Sequence, residues 1–232
     1  MKRIFKKVFS LLTVCLLTGM LTTSCNNGND DYIIVNYDIA TLDAVTSTGM
    51  VLSFRKINDS ELVTLTTNQV PQDKPTVGKR YLIMYTTESG NPYESGPATL
   101  YYGLGYVYNG EITTGTPVTD DGTWTTKGQD LKSMWRAGKW INIITNATIG
   151  EVDPAKYELI VDESTLDNDI PEAYIVYEPD GSANATTREF YASFNISSVW
   201  DRPNVQGLRV NYMSFGGKMT VDFMKTALTP TY

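Results

Sequence analysis

The chain has 232 residues, 41% of them hydrophobic and none of them histidine, and its 19 basic and 26 acidic side chains leave a net charge of −7. Without histidine, Ser-His-Asp and Cys-His catalysis, His-ligated zinc and His-ligated haem are excluded, which leaves carboxylate pairs or a Ser-Lys arrangement for any hydrolase. The acidic balance repels phosphate backbones and anionic surfaces, so nucleic acid is not an expected partner.

Lys2, Arg3, Lys6 and Lys7 open the chain as a basic segment. Val8 to Leu17 follow as an apolar core, and small residues Thr22, Thr23 and Ser24 precede Cys25. This is the layout of a signal peptide. A membrane span needs about 20 predominantly apolar residues, and this run is interrupted at Ser10, Thr13 and Thr18. Leu21-Thr22-Thr23-Ser24-Cys25 resembles the lipobox of bacterial lipoproteins. The resemblance implies removal of residues 1–24 and acylation of the Cys25 thiol, hence a palmitate-type anchor in a Gram-negative envelope. One acyl chain holds a protein only weakly, at about 0.8 kcal/mol per buried methylene; the resemblance implies two or three chains, which makes the attachment durable.

The polar run over residues 25–32 reads as a flexible tether. Asp30 and Asp31 resemble acidic signals that send some lipoproteins to the outer face of the outer membrane. Cys15 leaves with the leader and Cys25 is lipidated, so no disulfide is expected in the mature fold. The leader holds four of the 19 basic residues and no acidic one, so the mature chain carries 15 against 26, a net −11.

Beyond the tether the pattern is that of strands. Ile33, Val35, Tyr37 and Ile39 alternate with polar residues, and Met50, Leu52 and Phe54 repeat the period after Ser47-Thr48-Gly49. Glu61 to Thr66 is a weaker strand, and Arg80 to Thr86 is apolar on both sides. Ala98 to Tyr108 is long and aromatic, with Gly103 and Gly105 inside it as bulge or corner signals. Pro117 and Asp121-Gly122 mark a boundary. A hairpin is expected around Ala137-Gly138 and another around Gly216-Gly217, with Tyr157 to Val161, Ala173 to Tyr177 and Phe190 to Ile196 between them. No amphipathic helix and no internal repeat is evident. The expected architecture is all-β: an OB-like small barrel over 33–118, a linker over 119–130, and a β-sandwich over 131–232.

Met134-Trp135-Arg136-Ala137-Gly138-Lys139-Trp140-Ile141-Asn142-Ile143 and Phe194-Asn195-Ile196-Ser197-Ser198 resemble motifs of the NigD-like lipoproteins. The resemblance spans nearly the whole chain. It implies an OB-like domain followed by a β-sandwich, no established catalytic activity, and an immunity-type role at the envelope. The chain departs from that pattern at Val176 to Gly181, where relatives often carry a histidine-containing turn.

Tyr102, Leu104, Tyr106 and Tyr108 read as one strand face, which in OB-like folds can stack bases or sugars; core packing explains the same residues more simply. Trp124 and Trp200 stand beside loop residues as candidate sugar platforms, whereas Trp135 and Trp140 read as core anchors. Asp162, Glu163, Asp167 and Asp169 form an acidic loop, but no Asp-x-Asp-x-Asp-Gly spacing occurs, so no metal is expected. No carboxylate pair or cofactor motif stands out. The expectation is a non-enzymatic outer-membrane lipoprotein held by Cys25, engaging an envelope protein or, alternatively, a surface glycan through Tyr102, Tyr106, Tyr108, Trp124 or Trp200.

Overall fold

The computed structural model describes residues 35–71, 73–116 and 126–225. Among the described residues the architecture is all-β, with one helical turn, α1 (Ser197–Trp200), and a 3-10 turn at Glu163–Thr165.

Five strands close a small barrel in the order β1-β2-β3-β5-β4: β1 (Asn36–Thr46), β2 (Gly49–Phe54), β3 (Val63–Thr67), β4 (Arg80–Thr87) and β5 (Gly96–Gly105). Alternation decides what fills it. Met50, Leu52 and Phe54 on β2, Val63 and Leu65 on β3, and Ile83 and Tyr85 on β4 point inward with Ala40, Leu42 and Leu100. A bulge between Leu42 and Ala44 lets β1 bend away from β4 toward β2. Closure needs one parallel pairing, β3 with β5, and it spans only Leu65↔Gly96 and Thr66↔Pro97.

The other eight strands form one sheet in the order β13-β12-β10-β9-β6-β11-β8-β7. They are β6 (Tyr108–Gly115), β7 (Asp130–Ala137), β8 (Trp140–Ile149), β9 (Lys156–Asp162), β10 (Glu172–Glu178), β11 (Thr186–Asn195), β12 (Gly207–Ser214) and β13 (Gly217–Met224). The sheet folds over its own core like a sandwich. The segment entering β7 reaches back across it: Lys127 N–H donates to Tyr177 O at 3.0 Å, and Gln129 N–H donates to Met213 O at 3.0 Å. The buried Tyr157 hydroxyl donates to Gln129 Oε1 at 2.8 Å. Inside, Tyr157 meets Phe190 edge-on at 5.0 Å and Phe194 at 6.0 Å. Such ring pairs add about 0.5–1.5 kcal/mol each beyond area burial.

The division of the chain between the two sheets differs from the expected boundary at 118. The change comes earlier, between β5 and β6, because β6 hydrogen-bonds in parallel to β9 and β11 rather than to the barrel. Ile112, which it buries, joins the large core. The end of the expected linker is structured as well, since Thr126 Oγ1 bonds Tyr177 O at 3.0 Å and β7 begins at Asp130.

Barrel and sheet are joined by backbone and by two buried guanidinium groups. Asn58 N–H donates to Arg136 O and Gly138 N–H to Asn58 O, both at 2.6 Å. Arg136 grips Asp59 with two nitrogens, at 2.8 and 2.6 Å, and lies 4.6 Å from the centre of the Trp200 ring. Arg80 bonds Ile39 O and lies 4.9 Å from the Trp140 ring. Burial pulls Arg80 down to about 9, so it stays charged at neutral pH.

The hydrogen bond from Arg136 holds the Asp59 carboxyl below its ordinary value. A carboxylate with a lowered folded pKa stabilises fully above its unfolded pKa and loses that contribution as pH falls through the folded value. The stability gap between wild type and Asp59→Asn should therefore be flat from neutral pH to about 5 and shrink below about 4. Urea melts across that range measure it, and a gap that persists unchanged to about pH 2 would sever the link to this carboxylate.

Candidate functional site

An unusual stretch of backbone lies in β5. Met84 pairs with Tyr101 and Ile83 with Leu104, so Tyr102 and Gly103 are looped out of the ladder. Both are left-handed, with φ of 60° and 71°. Glycine adopts that region freely, whereas a bulky residue there is strained by about 1–2 kcal/mol. The bulge leaves the Tyr102 side chain outside the core, at 92% exposure.

It also breaks the alternation expected to align Tyr102, Leu104, Tyr106 and Tyr108 on one face. Tyr106 lies beyond the strand and donates its hydroxyl to Asp153 at 2.7 Å; burial, then that carboxylate, pushes its phenol up. Tyr108 opens β6 and packs near Phe194 at 5.9 Å, Phe190 at 6.0 Å and Tyr157 at 6.3 Å. Its phenol is raised by burial and then by the charges of Asp153 and Glu158. Tyr108 is thus core packing rather than a stacking surface.

Trp200 is corrected too. It is only 6% exposed, because α1 turns it inward beneath Arg136, and burial removes it as a sugar platform. Trp124 and Cys25 lie outside the described residues.

Beside Tyr102 is a cavity of about 480 Å³, lined among others by Gln69, Pro71, Asp73, Tyr81 and Leu104. Pockets of roughly 300–1,000 Å³ hold small ligands. Its walls are pinned. The Gln69 amide mimics a strand, accepting from Leu100 N–H at 2.7 Å and donating to Leu100 O at 2.9 Å. It thereby continues the short β3–β5 pairing. On the other side the Tyr81 hydroxyl accepts from Thr76 N–H at 2.8 Å. Pro71 and Pro75 stiffen the connection between β3 and β4. Asp73 is the one charged side chain among the described lining residues. Gln69, Asp73 and Tyr81 were not sequence candidates; two prolines bracketing a polar stretch before an aromatic strand were the available signal.

A second depression of about 510 Å³ is lined by Thr66, Thr67, Thr86, Thr99 and Glu88, without an aromatic ring.

Away from these cavities, Lys56, Asp38 and Tyr85 are engaged with one another. Lys56 bonds Asp38, and also the Tyr85 hydroxyl at 3.0 Å, while that hydroxyl donates to Asp38 at 2.9 Å. Phe54, Tyr85 and Tyr93 surround the ammonium at 5.2–5.6 Å. Burial raises Asp38 although Lys56 pulls it the other way, and burial raises Tyr85. The cluster ties β1, β4 and the end of β2 together. In the acidic loop Asp162 accepts from Ser164 N–H at 2.9 Å and Asp167 faces Arg202 at 3.3 Å. Among the described residues no three His, Cys, Asp or Glu side chains converge as metal ligands.

No protein-family profile and no curated protein matches the chain. Solved structures do. A protein of unknown function, DUF1344, from Bacteroides vulgatus aligns at a TM-score of 0.63 and 19% identity, over 85% of this chain and 93% of that one. A NigD-like immunity protein from Bacteroides caccae aligns at 0.54 and 17%, over 84% and 99%. A Bacteroides fragilis protein provisionally described as a lipoprotein aligns at 0.55 and 10%, over 84% and 100%. At these identities the likeness is one of fold: the barrel-plus-sheet architecture is that of the NigD-like structure, in agreement with the motif resemblance in the sequence.

Proposed function

We propose that the chain is a NigD-like lipoprotein of the outer membrane, acylated on Cys25, that acts at the envelope by binding or protection and without catalysis. One observation carries the reading: a leader ending in a lipobox-like Leu21 to Cys25 precedes a fold shared nearly end to end with a structure described as a NigD-like immunity protein. A neighbour described as a lipoprotein supports the same address. Two further features favour binding over chemistry. The chain lacks histidine, and Lys56, Asp38 and Tyr85 satisfy one another.

Among the described residues no helix is long and apolar enough to cross a membrane. In this reading the acyl group on Cys25 supplies the attachment. Labelled palmitate is expected in wild type and not in Cys25→Ala, with the variant lost from the outer-membrane fraction. Label in the variant, or a soluble wild type, overturns the anchor. Crosslinking on intact cells should then recover a defined envelope partner with wild type and far less of it with Cys25→Ala. Equal recovery from both would detach function from the membrane address.

A further inference from the structure

We infer that the cavity beside Tyr102 is a binding site for an uncharged glycan, with the Tyr102 ring as its stacking platform and Gln69, Asp73 and Tyr81 in its wall. The inference rests on reading the protein as an envelope binder, and it names a ligand class for that role.

The backbone supplies the first reason. A two-residue bulge with Tyr in the left-handed region is costly, and its effect is to carry a large ring out of the core to 92% exposure. Strain of this kind gathers at ligand clamps, where the misplaced side chain has a use. Glycine at this position would fold more easily and present nothing.

Rigidity is the second reason. Gln69 is held at both ends of its amide by Leu100, and Tyr81 holds Thr76. A wall already ordered loses little entropy on binding.

The lining then selects the ligand. Tyr81, Tyr102, Leu104 and the prolines offer apolar faces for the C–H side of a sugar ring, and Asp73 offers oxygens to its hydroxyls. No Lys or Arg is among the described lining residues, and the chain carries −7 overall, so phosphorylated, sulfated or acidic sugars gain nothing and are repelled. A protein partner would suit a flat face better than this concave one.

The test uses the full-length protein in detergent on an array of neutral and acidic glycans, followed by calorimetry with the best neutral oligosaccharide. Wild type should bind neutral glycans. Tyr102→Ala should weaken binding by at least about tenfold, and Tyr102→Phe should keep it, since stacking needs the ring and not the hydroxyl. Tyr102→Gly separates ligand binding from a structural role: it should melt at or above the wild-type temperature, because the left-handed strain is relieved, while losing the glycan. Any of these results overturns the proposal: no neutral glycan bound by wild type, a preference for acidic glycans, binding that survives Tyr102→Ala, or a fall in melting temperature with Tyr102→Gly. A bound peptide displacing the glycan from the same residues would also count against it. Cys25→Ala should leave glycan affinity unchanged, so the anchor and the site fail independently.

Discussion

Arg136→Ala should destabilise the protein by about 3–5 kcal/mol, read from urea unfolding at neutral pH. Arg136 is the largest fully buried side chain among the described residues. It makes two bonds to Asp59, a third to Gly138 O at 2.8 Å, and a face contact with Trp200. Truncation removes all four at once and leaves a cavity between barrel and sheet. Which of them matters most can be separated. Asp59 is 61% exposed at its side chain, so water can solvate it once Arg136 is gone. The charge pair itself should therefore be worth about 1 kcal/mol or less, while the packing under Trp200 carries the rest. Arg136→Met keeps volume and loses charge, and should cost about 1–2 kcal/mol. If Met proves as damaging as Ala, the ion pair rather than the packing holds the junction.

Much of the local structure was legible. The alternating Met50, Leu52 and Phe54 marked β2, and Tyr157 to Val161 fell within a residue of the bounds of β9, because a half-buried strand leaves its period in the sequence. Turns were found but displaced by one position. The expected Gly216-Gly217 turn is Phe215-Gly216, since Gly217 already pairs with Ser214 and opens β13 with φ of 118°. Likewise Ala137 ends β7, pairing with Trp140, so the turn falls on Gly138-Lys139.

Neighbour relations were not legible. Periodicity says which side chains face inward, not which strand lies alongside. β6 between β9 and β11, both parallel to it, depends on contacts far apart in sequence. The same limit hid the site. Tyr102 was a candidate for its aromatic spacing, yet the structure exposes it for another reason, a bulge that breaks that spacing. Trp200 was a candidate because it stands beside loop residues, but one helical turn sets the ring against Arg136. Buried arginines leave no periodic mark at all, since their neighbours in space come from other strands.

Gly49→Ala should cost about 3 kcal/mol, the upper end for overpacking, and lower the melting temperature by about 6–12 °C for a chain of this size. A Cβ at Gly49 would lie 1.7 Å from Thr67 O and 2.8 Å from its carbonyl carbon. Those atoms belong to the backbone of β3, so no rotamer change relieves the clash. Relief requires β3 to move away from the start of β2, and Met50↔Thr67 is the pair that ends their ladder. Movement there also disturbs Thr67, whose hydroxyl accepts from Gln69 N–H at 3.1 Å, and so reaches the groove wall. Gly217→Ala is the matched control. No atom lies within 4 Å of its Cβ, and only its positive φ opposes substitution, so about 1 kcal/mol is expected. The order Gly49→Ala far below Gly217→Ala in thermal stability supports close approach of β2 and β3 as the reason for glycine. Equal losses would mean that conformational freedom alone selects it, and that the barrel tolerates a wider spacing at this corner than its short β3–β5 pairing implies.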